Sequence, residues 1–192
     1  MELKSEQKIN APREKVYAAL NDLDILRQCI PGCESLEAKS DTELEATVSL
    51  KMGPVKAKFK GAVELSNLVP PESYSISGQG SGGAAGFAKG GADITLVEDG
   101  GGTLMQYDVK ADVGGRFAQL GNRLIDSTAK TLSGKFFEKF CELVESGGEA
   151  DVEAAPSVKA TPADGGDDKK SERWIVAGIA IAVALVVIYA LN

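Results

Sequence analysis

The strongest constraint on this chain is a change in the spacing of its apolar residues. Over residues 36–113, apolar and polar side chains alternate, as in strands with one buried and one solvated face. Over residues 115–145, apolar residues recur every three to four positions, which is typical of an amphipathic helix. Strands joined by turns and followed by one long helix predict an α+β domain, in which a curved antiparallel sheet wraps around a C-terminal helix.

The region before the sheet is predicted to hold one strand and two short helical segments. The strand covers residues 3–9, and Asn10 is the predicted N-cap of a helix with Pro12 in its first turn. Asn21 and Asp22 interrupt the helical spacing, and a Pro-Gly pair at 31–32 predicts a turn. Together these elements give a folded domain over residues 1–146.

The end of the chain has a different composition. Residues 147–173 are small, acidic or Pro/Gly-rich at first and basic at the end, which predicts a disordered linker. Residues 174–191 carry no charge and are long enough for a transmembrane helix, with Trp174 and Tyr189 near its two ends. Lys169, Lys170 and Arg173 precede this run, so the positive-inside rule predicts a single-pass protein of the inner (cytoplasmic) membrane with its domain in the cytoplasm. We expect no signal peptide, because the N-terminus lacks an apolar stretch.

Composition narrows the possible chemistry. The chain has no histidine, which removes the usual Ser-His and Cys-His nucleophiles and every imidazole metal site. A net charge of −7 argues against nucleic acid as a partner. Cys29, Cys33 and Cys141 lack the spacing of a metal or redox motif, so we expect reduced structural thiols. We therefore predict no catalytic residues and no metal site.

Several small residues fall on the predicted inner face of the sheet, among them Ala46, Gly61 and Ala111. Glycine and alanine leave volume that a larger side chain would fill, so we expect a cavity between the sheet and the long helix. The nearby GxGxxG pattern at Gly78, Gly80 and Gly83 lacks a following helix N-terminus, and we interpret it as a glycine-rich hairpin rather than a phosphate site.

Three separated segments, in order, carry a resemblance to a known family. They are residues 20–36 (LNDLDILRQCIPGCESL), 86–92 (GFAKGGA) and 114–125 (GGRFAQLGNRLI). Over about residues 1–146 the chain resembles the CoxG family, the G subunit of carbon monoxide dehydrogenase, which is a branch of the START-like (SRPBCC) helix-grip superfamily. The resemblance implies a helix-grip fold with a hydrophobic cavity and association with a molybdenum-containing carbon monoxide dehydrogenase near the membrane. It supplies no catalytic residues.

The leading hypothesis is a non-enzymatic, membrane-anchored carrier for a respiratory quinone, either menaquinone or ubiquinone. Such a carrier would couple the cytoplasmic dehydrogenase to the electron-transport chain of the bilayer. Two alternatives remain open: a pure membrane anchor for the dehydrogenase without ligand transport, and an enzyme that modifies lipids or polyketides. The predicted ligand-binding residues, taken from the strand and helix faces, are Val48, Leu50, Phe59, Gly61, Tyr74, Ile76, Phe87, Tyr107, Val109, Ala111, Phe117, Leu120 and Leu124.

Overall fold

A computed structural model describes residues 2–52, 55–116 and 118–146. Within these ranges the chain forms seven strands and three α-helices. None of the described helices has the length and apolar character that a bilayer crossing requires. The predicted linker (147–173) and transmembrane helix (174–191) lie outside the described residues. The elements are β1 (Glu2–Ile9), α1 (Arg13–Leu20), α2 (Leu23–Cys29), β2 (Cys33–Ala38), β3 (Glu43–Met52), β4 (Val55–Val69), β5 (Ser73–Ser81), β6 (Phe87–Asp99), β7 (Gly102–Gly114) and α3 (Asn122–Ser146).

The seven strands form one antiparallel sheet in the order β1-β7-β6-β5-β4-β3-β2. Strands β2 to β7 follow the chain, while β1 joins the far edge beside β7. One face of the sheet contributes alternate residues to a single apolar core shared with the helices. The α+β class and the helix-grip arrangement predicted from the sequence are therefore confirmed.

Two short helices connect β1 to β2. Helix α1 has Pro12 rather than Asn10 at its N-cap, and no side chain caps it, so the predicted asparagine cap is wrong. Asp22 caps α2 instead, because its carboxylate accepts hydrogen bonds from the backbone N–H groups of Asp24 and Ile25. The predicted break between the two helices is confirmed at this point.

Helix α3 begins later than the sequence predicts. A 3-10 helix, Ala118–Leu120, precedes it, and Gly121 has a φ of 83°, which an α-helix cannot contain. The α-helix therefore starts at Asn122 rather than near residue 115. Its buried face is Ile125, Ala129, Phe136, Phe137, Phe140 and Val144.

The two ends of α3 lie at opposite ends of the sheet. Its first turn follows the end of β7, which leaves the sheet at Gly114. Near its last turn, the Glu145 carboxylate accepts a hydrogen bond of 2.9 Å from the backbone N–H of Asn10, which directly follows β1. Because Ile9 pairs with Thr103 near the start of β7, α3 runs back along β7 from its end toward its beginning.

Candidate functional site

The inner face of the sheet is unequally filled along the length of α3. Toward the C-terminal end of α3, aromatic rings pack closely: Tyr107 stacks on Phe137 with ring centroids 5.7 Å apart. Phe136 adds an edge contact to Phe137 at 5.3 Å and a stacked contact to Phe140 at 5.8 Å. This half of the interior is a packed aromatic core.

The other half of the inner face carries small residues. Two neighbouring rows cross the sheet at the end where β7 stops and α3 begins, and the buried helix residue closest to that end after Ile125 is only an alanine, Ala129. Little side-chain volume is thus available between these rows and the first turns of α3. One row pairs Ala46, Gly61, Gly80 and Ala88, and the other pairs Val63, Gly78, Gly90 and Ala111.

Gly61 shows how open this end is. A Cβ atom added to Gly61 would have as its three nearest neighbours only backbone atoms of β5, the closest being the Gln79 carbonyl oxygen at 3.3 Å. Neither α3 nor any side chain is among these contacts. Phe59 lies two residues away on the same face, with its ring against Gly82, and so forms a wall beneath the loop between β5 and β6.

Tyr74 marks the boundary between the packed half and the small-residue half. It pairs across the sheet with Ile94, which pairs with Tyr107, and its ring meets Tyr17 of α1 edge-on with centroids 6.1 Å apart. Its side chain is 2% exposed, yet its hydroxyl has no hydrogen-bond partner among the described residues. Burial raises the pKa of this hydroxyl, so it stays a neutral donor.

Other buried polar groups of the described residues are already used. Thr103 is fully buried, and its hydroxyl donates a 2.7 Å hydrogen bond to the Ala11 carbonyl. The three cysteines are free thiols, and burial raises the pKa of Cys29 to about 12. Within the described ranges, no group of three or more acidic or cysteine side chains is placed to hold a metal ion.

Most of the predicted ligand-binding residues meet on the inner face. Leu120, in the 3-10 helix, is half-buried against the same core, and Ala111 lies in the inner-face register of β7 opposite Gly90. Phe117 lies outside the described residues. The inner-face residues with described side chains are Val48, Leu50, Phe59, Tyr74, Ile76, Tyr107 and Val109, which are buried, and the partly exposed Gly61.

Two predicted residues do not join this group. Phe87 is 52% exposed and lies on the outer face, where its ring covers Gly114 of β7. Leu124 is 36% exposed, because the neighbouring Ile125 occupies the buried position of the first helical turn. The residues that the sequence pattern missed are Ile125, Ala129, Phe137 and Val144, all on the true buried face of α3.

The outer face of the sheet has grooves of a different character. A groove of about 910 Å³ is lined mainly by charged and polar side chains, including Glu43, Glu64 and Lys110. A second one, of about 500 Å³, includes Phe87 and Lys60. Their polar linings differ from the apolar inner face, so they do not coincide with the predicted site.

Comparisons with known proteins agree with this architecture. A conserved protein of Geobacillus kaustophilus is similar over 76% of this chain and 96% of its own, with 29% identity and a TM-score of 0.72. TTHA0849 of Thermus thermophilus is 18% identical, with 78% and 100% coverage and a TM-score of 0.58. CV1439 of Chromobacterium violaceum is 18% identical, with 75% and 97% coverage and a TM-score of 0.57.

These solved chains are covered almost completely, so a domain of this extent is a whole folding unit in them. No functionally curated protein matches the sequence closely enough to count as a relative. The model of the family described as the G subunit of carbon monoxide dehydrogenase (CoxG) matches residues 6–144, which is nearly the whole domain and most of the chain. The protein that folds as described above therefore belongs to the CoxG family of carbon monoxide dehydrogenase.

Proposed function

We propose that the domain is a carrier for a hydrophobic ligand and that this ligand is a respiratory quinone, menaquinone or ubiquinone. The observation that carries the proposal is the buried hydroxyl of Tyr74, for which the described part of the chain offers no hydrogen-bond partner. A buried donor without a partner costs about 1–3 kcal/mol. A quinone carbonyl oxygen is an acceptor that would recover this cost, and it would place the ring at the boundary between the two halves of the interior.

The small-residue rows support a place for the isoprenoid tail. From Tyr74 to Gly78 along β5 is about 13 Å, at roughly 3.3 Å per residue. This is enough length for part of a tail to lie over Gly78 and Gly61, toward the first turns of α3. Burial at about 25 cal/mol per Å² of apolar surface would contribute several kcal/mol for a few isoprene units.

The family name supports carbon monoxide dehydrogenase as the partner. Oxidation of carbon monoxide with water gives carbon dioxide, two protons and two electrons, and a quinone that takes up two electrons and two protons becomes a quinol. A carrier that takes quinone from the bilayer and returns quinol would therefore connect the dehydrogenase to the electron-transport chain. The predicted anchor over residues 174–191 would hold the carrier at the inner membrane, with its domain toward the cytoplasm.

A role without catalysis fits the described interior. Its buried polar side chain, Thr103, is occupied by a structural hydrogen bond. The remaining candidate, the hydroxyl of Tyr74, is a neutral donor suited to orienting a ligand.

The test begins with the lipids that the full-length protein carries when it is purified in mild detergent. Mass spectrometry of the extract should find a quinone in excess over its share of the membrane. The delipidated protein should then bind added menaquinone or ubiquinone and gain thermal stability in proportion to occupancy. A polyprenyl alcohol of equal length, which lacks the ring carbonyls, should bind more weakly. A protein that carries no quinone and gains no stability from it, while still bringing the dehydrogenase to membranes, would be a pure anchor.

A further inference from the structure

The outer face of the β3–β4 hairpin carries a concentrated positive charge in an otherwise acidic chain. Between Glu45 and Glu64 the sequence holds four lysines and no acidic residue, although the whole chain has a net charge of −7. All four lysines are exposed. We call this set the lysine patch: Lys51, Lys56, Lys58 and Lys60.

The register of the hairpin concentrates this charge instead of neutralising it. Lys51 lies directly opposite Lys56, a cross-strand pairing of like charges that weakens a sheet. Lys58 is bound to Glu34 at 2.5 Å. Lys51, Lys56 and Lys60 have no ion-pair partner among the residues that the structure describes. Three uncompensated charges therefore face outward from one end of the hairpin.

The opposite end of the same face is negative. Glu43 lies directly opposite Glu64, and both line the polar groove of the outer face. The sign of the charge thus reverses along one hairpin. In the field of an anionic surface, this arrangement turns the lysine end toward the surface and the glutamate end away from it.

The position of the lysine patch relates it to the inner face. Lys60 is the immediate neighbour of Gly61, whose row of small residues crosses the sheet on the other face. The patch therefore belongs to the end of the domain where β7 stops and α3 begins. Arg116 and Arg123, both exposed, lie in the connection between those two elements and add to the positive charge of this end.

We propose that the lysine patch is a docking site for the surface of an anionic lipid bilayer, separate from the predicted membrane anchor. Lysine is depleted in protein–protein interfaces, whereas clusters of lysine bind anionic headgroups without a fixed geometry. Docking there brings the small-residue end of the interior against the bilayer. The inference concerns the lipid surface alone and does not require the ligand to be a quinone.

The experiment uses residues 1–146, which correspond to the complete folding unit of the solved relatives, so that the predicted anchor does not mask weaker binding. Sedimentation with vesicles of neutral phosphatidylcholine is compared with vesicles that also contain phosphatidylglycerol. We expect binding to the anionic vesicles only, and loss of that binding as salt is raised. Each lysine near an anionic surface strengthens binding about fivefold. Changing all four patch lysines to glutamine should therefore weaken binding by about 100-fold, allowing for the pairing of Lys58.

Two control proteins make the result specific. The first changes Lys8, Lys110, Lys130 and Lys135 to glutamine, which alters the net charge equally but at other exposed places, and it should bind nearly as well as the parent. The second changes the four patch lysines to arginine and should retain binding. The proposal is overturned if anionic vesicles do not bind the domain, or if both glutamine variants lose binding equally. It is also overturned if the patch variant binds vesicles normally and instead fails to bind carbon monoxide dehydrogenase.

Discussion

Tyr17 meets Tyr74 edge-on at 6.1 Å, and this contact orients the Tyr74 ring while leaving its hydroxyl without a hydrogen bond among the described residues. The ring is thus held by apolar packing alone. Its polar end is available to whatever enters the interior. This combination makes opposite predictions for stability and for ligand binding.

Changing Tyr74 to phenylalanine should stabilise the empty domain and weaken quinone binding. The variant keeps the ring contact with Tyr17 but removes a buried donor that has no partner in the described ranges, so the free energy of unfolding should rise by about 1 kcal/mol. Loss of one hydrogen bond to the quinone should reduce affinity by roughly 2- to 10-fold. Thermal melts and quinone titrations of the same preparation measure both effects. Tyr107→Phe is the matched control, and a stability loss at Tyr74 would show that its hydroxyl is bonded in the empty protein.

Gly61→Leu should reduce ligand uptake with little change in melting temperature. The new Cβ meets only β5 backbone, so the rest of the side chain extends into the space that we assign to the ligand. Overpacking a filled core instead costs about 1–3 kcal/mol. Ala62→Leu is the matched control, because it adds a leucine at the next residue of the same strand on the exposed outer face. Lower melting with unchanged binding would indicate a packed interior and favour the pure-anchor hypothesis.

The alternation of apolar residues predicted the sheet well because it reports burial directly. Leu44, Ala46, Val48 and Leu50 all lie on the inner face as expected. Phe87 was misplaced because it is aromatic and follows a glycine-rich loop. Its parity relative to Ala88, which is buried, would have placed it on the outer face.

The long helix was predicted less accurately because its start was set too early. Counting the apolar face from residue 117 made Leu124 a buried position, whereas the helix begins at Asn122 and buries Ile125. The buried, unsatisfied hydroxyl of Tyr74 could not be predicted at all. Whether a buried phenol finds an acceptor depends on the surrounding elements, which no local pattern of residues describes.

Cys29 should be nearly unreactive while the domain is folded. Its side chain is 2% exposed, and burial raises the pKa of its thiol to about 12, so almost no thiolate exists at pH 8. Alkylation by iodoacetamide, followed by mass spectrometry of peptides, should modify Cys29 only after unfolding. Fast modification in the folded protein would show that α2 opens away from α3.

The same thiol predicts how stability depends on alkaline pH. The folded state holds a proton that the unfolded state releases near the ordinary value of 9.0, so folding is favoured fully below pH 9. This contribution is lost as the pH rises from 9 toward 12. Urea unfolding midpoints of the parent should therefore fall more steeply across this window than those of Cys29→Ser. The serine variant should itself lose about 1–3 kcal/mol for its buried hydroxyl, with ligand binding nearly unchanged.

Deleting residues 169–192 should leave a folded domain that no longer fractionates with integral membrane proteins. The family match ends at residue 144, and the described core is complete without the deleted residues. Circular dichroism and thermal melts should match those of the full chain. A truncated protein that resists extraction from membranes by high salt would contradict the predicted anchor at 174–191, whereas release by salt agrees with electrostatic docking.

The hydrogen bond between Asn10 and Glu145 determines where the domain would resist a pull from its own tail. Any tension along residues that follow Ser146 enters the domain at this bond and at the buried side chains of Phe140 and Val144. That is the densely packed aromatic half. The small-residue half, at the other end of α3, is the last part of the helix that such a force would reach. Thermal motion of a tethered domain would therefore load its strongest contacts and leave the ligand end undeformed.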